Sequence, residues 1–302
     1  MEVLGRLLYL LALLGIGIAA RRIGVLNERR TDLLTAVAFY AALPALVFYS
    51  TYDQSLGALL SPGLVAAVSA VFLATAGLAW IVHRRRDSRA RQSVAVVQSY
   101  HSNLGFLGLP LVATTFGAEA AAVASIVLGI GIVLQVPLTV LLLVTLNDAD
   151  AAVRDELGTV ATNPVLAALA AGLVVSTVGL SVPAPAVTGL GLASELALPV
   201  ALLCVGASLR LDPSAFDLGD TGSVVAVKVG CMPAIAWVAL TVAGVETTAF
   251  AAVLVMFAMP TAVSTFVYAN ELGGDANFAS MNVFVTTLVS LGTLFPLLKL
   301  LG

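Results

Sequence analysis

Long apolar stretches separated by short clusters of charged residues run through this sequence from one end to the other. Of its 302 residues, 60% are hydrophobic and 10% are charged, whereas soluble domains carry about 25% charged residues. The stretches are long enough for the roughly 20 residues of helix that cross a bilayer. They also lack the period-2 alternation of transmembrane β-strands. The pattern therefore predicts an all-α membrane protein.

The apolar pattern divides into ten predicted transmembrane spans. Eleven of the 14 Lys and Arg residues lie in the loops after the first, third, fifth and seventh spans, and the loops after the even-numbered spans have none. Because positively charged loops stay in the cytoplasm, we expect a multi-pass protein of the cell membrane with both termini outside. The spans cover about 3–20, 31–50, 62–82, 93–117, 119–146, 162–180, 187–208, 222–243, 247–270 and 277–300.

The two halves of the chain resemble each other at an offset of 155 residues. Each half has five predicted spans, so the halves must insert with opposite orientations, as in the inverted repeats of many secondary transporters. We expect a first five-helix repeat at 1–146, a cytoplasmic connecting loop at 147–161 and a second five-helix repeat at 162–302. The matching positions include Gly17 with Gly172, Gly24 with Gly179, and Leu43-Pro44 with Leu198-Pro199.

The fourth predicted span contains a cluster of residues that weaken a helix. Gly105, Gly108 and Pro110 follow Asn103 within eight residues, and proline removes a backbone donor and clashes with the preceding turn. In lipid the freed backbone groups need partners, so broken helices occur where they line a cavity or pack inside protein. The cluster predicts a break in this span.

The ninth predicted span has an interruption at the corresponding place. Pro260 lies in mid-span, and Thr261, Ser264 and Thr265 follow it. Paired interruptions in two halves indicate a transport site, and the N-termini of half-helices there suit an anionic substrate. A packing kink without a ligand is the alternative interpretation.

Two asparagines are candidates for substrate contact. The amide of Asn103 can donate to a carboxylate without placing a formal charge in the membrane, and its alternative role is to cap the broken helix. Asn163 precedes Pro164 at the start of the sixth span. This order is typical of a helix cap, although the same side chain could face the cavity.

Three ionisable side chains are candidates for coupling. His101 is a candidate for proton coupling, with packing between helices as the alternative. Lys228 lies inside the eighth span, where an ionisable residue is a functional candidate, but snorkelling to the cytoplasm or a structural role would also explain it. Glu195, in the seventh span, is a candidate proton carrier.

At these residues the sequence resembles the auxin efflux carrier family, which includes plant auxin exporters and prokaryotic malate and malonate carriers. The resemblance covers essentially the whole chain. Its motifs are Asn103-x-Gly105-x-x-Gly108-x-Pro110, Asn163-Pro164, Leu198-Pro199 with Gly206-Ala-Ser-Leu209, Lys228 five residues before Pro233, and Met259-Pro260 followed by Phe266-Val-Tyr268-Ala.

This resemblance implies a scaffold part and a transport part, with broken spans four and nine crossing as in sodium–proton antiporters and bile-acid symporters. It also implies elevator-like movement, a homodimer, substrate contact by Asn103 and a cation at the position of Lys228. Thr265 stands where plant members have a second proline, so the second break would be less sharp. The short 147–161 loop puts auxin as the substrate, and plant-style phosphorylation control, in doubt.

We therefore expect a secondary active or facilitative transporter of a small organic anion, a mono- or dicarboxylate or an auxin-like acid, working by alternating access. One alternative is a sodium-coupled carrier like the bile-acid symporters, which the absence of Asp or Glu next to either break disfavours. The other is a non-transporting membrane receptor or scaffold, which the lack of a sizeable soluble domain disfavours.

Enzyme signatures are missing from the sequence. It has no GxxxxGK[ST], HExxH or GxSxG motif, and Cys204 and Cys231 form no metal-binding pattern. We expect no enzymatic activity, no metal, no cofactor and no nucleic-acid partner.

Overall fold

The protein is mainly helical in the residues that its computed structural model describes, which are 2–55, 61–86, 88–149, 158–209 and 217–301. Residues 150–157, the greater part of the predicted connecting loop, lie outside this description. The helices are α1 (Glu2–Arg22), α2 (Glu28–Thr51), α3 (Pro62–His83), α4 (Arg89–Tyr100), α5 (Leu104–Phe116), α6 (Ala118–Asn147), α7 (Pro164–Val178), α8 (Ala184–Ser208), α9 (Leu218–Val242), α10 (Thr247–Phe257), α11 (Ser264–Glu271) and α12 (Ala276–Leu301).

Seven helical segments in the described part of the chain are long and apolar enough to cross a membrane. Six of them are α2, α3, α6, α8, α9 and α12, and the seventh is the segment Gly158–Val178, which includes α7. The helices α5 and α10 are apolar but shorter. The predicted class of multi-pass, all-α membrane protein is thus confirmed. Ten spans arranged as an inverted repeat remain a prediction.

Local sequence signals explain several helix ends. The Ser61 hydroxyl accepts a hydrogen bond of 3.2 Å from the Leu64 N–H, and Pro62 follows as the first helical residue of α3, as capping requires. Gly24, after α1, and Gly179, after α7, both have positive φ, +77° and +69°. Because glycine adopts this conformation without steric cost, it ends both helices.

The helices pack as two sets. In the first set, α1 packs along α8, and both α7 and α8 pack against α2. The second set contains α3 to α6 and α9 to α12, with α3 packed on α4 and α9, and α6 packed on α4, α5 and α10. The sets meet mainly where α2 contacts α6 and where α8 contacts α5.

Four charged side chains join elements of the second set at one end. Arg86 pairs with Asp220, while Arg91 lies 3.0 Å from Asp275 and 3.4 Å from Asp220. Burial lowers the pKa of Arg86, and the Asp220 carboxylate counteracts that effect. The hydrogen bond to Asp275 raises the pKa of Arg91. The cluster links the segment between α3 and α4 to the starts of α9 and α12.

Candidate functional site

Two helix interruptions meet in the interior of the protein. The chain is non-helical at 101–103, between α4 and α5, and again between α10 and α11. The Asn103 N–H donates to the Pro260 carbonyl at 2.9 Å, and the Ala262 N–H donates to the His101 carbonyl at 3.0 Å. Ser102 and Thr261 form an antiparallel bridge between these bonds. Each interruption therefore satisfies backbone groups that the other leaves without a helical partner.

The glycines after the first interruption have different roles. A Cβ on Gly108 would lie 2.7 Å from Met256 Sδ and 3.1 Å from Met259 Cγ, so only glycine lets α5 approach α10 this closely. A Cβ on Gly105 would lie 3.5 Å from Leu43 Cδ1, an ordinary contact. Pro110 is buried where the π-helical turn Leu104–Gly108 gives way to regular α-helix.

A cavity of about 670 Å³ lies between the two sets of helices, within the size range of small-molecule sites. The first set contributes α2 and the start of α7, and the second set contributes the two interruptions, α6 and α11. Of the residues singled out from the sequence, Gly105, His101, Asn103, Asn163 and Ser264 line it. Gly108, Pro110, Pro260, Thr261, Thr265, Lys228 and Glu195 are not among its lining residues.

Asn103 carries a buried amide group without a hydrogen-bond partner. Its side chain is 4% exposed, and Nδ2 has no acceptor among the described residues. Its backbone is satisfied, since the Asn103 carbonyl accepts from the Gly108 N–H at 3.0 Å. The side chain makes no capping bond to α5, so the capping alternative is wrong. A polar ligand in the cavity could accept from this amide.

Gln135, on α6, is a cavity residue that the sequence reasoning missed. Its Oε1 accepts from the Ser102 N–H at 2.6 Å, and this bond fixes which amide atom is oxygen. The Nε2 group therefore remains a donor on the cavity wall. A single glutamine in an apolar helix has no sequence signature beyond its polarity.

His101 is held by a hydroxyl group on α6. Its Nδ1 lies 2.8 Å from Thr139 Oγ1, which is also 3.0 Å from the Tyr100 hydroxyl. Its ring faces that of Tyr268, a second cavity residue, with 6.3 Å between centroids. His101 lies in the interruption itself and not on a helix. His101 and Asn103 both line the cavity.

The hydroxyl groups of Thr261 and Thr265, in the second interruption, form hydrogen bonds within the protein. Thr261 Oγ1 donates to the His101 carbonyl at 3.2 Å. Thr265 Oγ1 donates to the Ala262 carbonyl at 2.6 Å and accepts from Gln98 Nε2 at 2.9 Å. Both threonines are buried and are not among the residues that line the cavity, and their hydroxyl groups stabilise the interruption.

Lys228 is buried behind the paired interruptions. Its Nζ lies 2.6 Å from Ser102 Oγ, 3.0 Å from Met232 Sδ and 3.4 Å from the Phe257 carbonyl. It lies in a π-helical turn of α9, Ala226–Cys231, a distortion that is frequent at functional sites. Because the ammonium group reaches both interruptions and not the protein surface, the snorkelling alternative is wrong.

Asn163 and Glu195 have contrasting positions. Asn163 Oδ1 accepts from the backbone N–H groups of Val165 at 2.9 Å and Leu166 at 3.4 Å, which confirms its predicted role as a helix cap. It also lines the cavity. Glu195 is exposed at the turn within α8, so the structure does not bring it to the interruptions.

The comparisons with known proteins match transporters over the whole chain. The profile of the family described as "Membrane transport protein" matches residues 3–156 and 156–297. An "Uncharacterized transporter" of Methanothermobacter thermautotrophicus is 27% identical over 290 residues, 95% of this chain and 94% of that protein. A "Putative malonate transporter" of Rhizobium meliloti is 27% identical over 143 residues, 47% of this chain and 45% of that protein.

Proposed function

The chain belongs to the membrane transport protein family, the auxin efflux carrier family that its motifs resemble, and we propose on this premise that it carries a small organic anion across the membrane. The observation that carries the proposal is the Asn103 amide, buried and without a partner, on the wall of the cavity where the two interruptions meet. Native proteins rarely leave a buried donor unsatisfied. A bound anion would supply its acceptor.

The donors around the cavity favour an anionic substrate. Besides Asn103 Nδ2 and Gln135 Nε2, the first N–H groups of α5, those of Gly105 and Phe106, have no acceptor among the described hydrogen bonds. A helix N-terminus attracts negative charge through these free groups and through its dipole. The relative in Rhizobium meliloti is named for malonate, which agrees in chemical class with a mono- or dicarboxylate.

Alternating access is the mechanism we propose, with the crossover of the two interruptions as the substrate site. The first set of helices would act as a scaffold, and the second set would move along it like an elevator and expose the cavity to each side in turn. Such movement requires the site to lie between two bodies that pack separately, and the cavity is lined by both sets.

The glycine packing supports two inverted repeats in a ten-span protein. A Cβ on Gly17, in α1, would lie 2.5 Å from the Leu203 carbonyl in α8, and a Cβ on Gly172, in α7, would collide with Thr51 in α2. The offset of 155 makes these two glycines equivalent. The first helix of each repeat therefore packs closely on the second helix of the other repeat, as a pseudo-twofold axis requires.

The cellular setting completes the proposal. The distribution of Lys and Arg favours the cell membrane with both termini outside, and the family resemblance favours a homodimer. Uptake measured with and without a pH gradient and sodium distinguishes coupling to protons, coupling to sodium and uncoupled transport.

The test is uptake by the purified protein in liposomes. Labelled malonate, malate, pyruvate and indole acetate would be offered with and without a pH gradient and sodium. We expect saturable uptake of at least one acid. Asn103→Ala removes a hydrogen bond to a charged group, worth about 1.5–3 kcal/mol, so its affinity should fall about 10- to 150-fold.

The matched control is Asn270→Ala, which removes an exposed asparagine of α11 outside the cavity. It should transport as the wild type does. The proposal is contradicted if the folded wild-type protein takes up no acid under any gradient, or if Asn103→Ala is as active as the control.

A further inference from the structure

Two groups of opposite charge lie near the cavity, Asp32 in its lining and Lys228 next to the lining residue Ser102. Among the described residues that line it, Asp32 is the one with a formal charge. It lies on α2, in the first set of helices, and it is exposed. Arg29 and Arg30, three and two residues earlier, do not line the cavity, and the described residues give Asp32 no ion pair.

The positive charge is Lys228, which acts from behind the first interruption. It is the one Lys, Arg, Asp or Glu among the described residues that is buried. Its Nζ donates to the hydroxyl group of Ser102, a residue that lines the cavity between His101 and Asn103. The ammonium group is therefore one hydrogen bond away from a residue of the cavity wall, and it has no carboxylate partner among the described ion pairs.

A buried charge without a counter-ion is costly, and a bound anion would reduce that cost. A substrate with one negative charge at the interruptions balances Lys228. A second negative charge finds no further cation among the described residues of the wall and shares the cavity with Asp32, and like charges repel each other. Repulsion of this kind is how binding sites reject close analogues.

We infer that the cavity selects substrates with a single negative charge, with Lys228 as the counter-charge and Asp32 as the group that rejects a second one. The substrate class is then a monocarboxylate, or a dicarboxylate with one carboxyl group protonated or blocked. This inference rests on the proposed function and adds the charge of the substrate to it.

The experiment uses three probes of nearly the same size at one pH: malonate with two charges, its half-amide malonamate with one, and malonamide with none. Binding would be measured by thermal shift of the purified full-length protein, and transport by competition against uptake of a labelled acid. We expect the wild-type protein to bind malonamate at least about tenfold more tightly than malonate, and to bind malonamide weakly.

Substitutions of Asp32 and Lys228 test whether these two residues cause the preference for a single negative charge. Asp32→Asn removes the repelling charge, so the preference for malonamate over malonate should shrink at least about threefold. Lys228→Gln removes the counter-charge, so the preference for malonamate over malonamide should fall by at least about tenfold, whereas Lys228→Arg should retain most of it. If Lys228→Gln does not fold, the exposed Asp32→Asn variant and the wild-type ratios decide the matter.

The inference is overturned if the wild-type protein binds malonate as well as malonamate, or if Asp32→Asn leaves their ratio unchanged. Failure of the proposed function looks different, because the wild-type protein would then bind and transport none of the acids, whatever their charge.

Discussion

Replacing Asn103 by an apolar residue should raise the stability of the protein and lower its affinity for the substrate. Its Nδ2 group is buried without an acceptor, and a buried unsatisfied donor costs about 1–3 kcal/mol. Asn103→Leu removes this donor and keeps a similar side-chain volume, so the substrate-free protein should become more stable by up to about that amount. The same substitution removes the group that we propose binds the anion, and affinity should fall.

The assay is thermal unfolding of the detergent-solubilised protein without substrate, followed by titration with the acid that the wild-type protein transports. The control is Gln98→Leu. The Gln98 amide is also buried, but its Nε2 donates to Thr265 and to the Ala279 carbonyl, and its Oε1 accepts from Asn282 Nδ2, each at 2.9 Å. Removing it leaves those groups unpaired, so this variant should melt at a lower temperature than the wild type. A melting temperature of Asn103→Leu that falls as far as that of Gln98→Leu would refute the reasoning.

Three other substitutions test separate parts of the structure. Gly108→Ala should destabilise the protein by about 1–3 kcal/mol through overpacking, whereas Gly105→Ala should leave the melting temperature nearly unchanged, and equal effects would contradict the close-packing argument. Arg91→Ala should lower thermal stability by roughly 0.5–1 kcal/mol, while Arg89→Ala, whose ion pair is exposed, should not lower it measurably. Gln135→Glu keeps the acceptor for its backbone partner but replaces the cavity donor by a negative charge, so anion uptake should fall by about tenfold or more with folding intact, and unchanged uptake would remove this residue from the site.

Features that depend on local chemistry were predictable from the sequence. Long apolar runs must become helices in lipid because each helix satisfies its own backbone groups. Asn163 before Pro164 identifies a cap because the cap and the first turn lie within four residues of each other. Gly105, Gly108 and Pro110 mark a weak point in a helix for the same local reason.

Features that depend on distant parts of the chain could not be read in this way. The hydrogen bonds between the interruptions join residues about 160 positions apart. Gln135 became a cavity residue only because α6 packs beside the first interruption. Asp32 stood at the start of the second predicted span with no sequence signal of a site, yet the packing of α2 places it on the cavity wall. Lys228 lay close enough to the predicted cytoplasmic side to snorkel, and only the π-helical turn and its neighbours show that it turns inward.

The two interruptions are connected by main-chain hydrogen bonds, and this affects how the protein can change over evolution. The bonds from Asn103 N–H to Pro260 and from Ala262 N–H to His101 require only that positions 103 and 262 are not proline. The side chains at 101 and 103 can therefore be replaced one at a time while these main-chain hydrogen bonds remain. A lineage of such proteins can acquire a new cargo through single substitutions without first rebuilding the architecture that presents it.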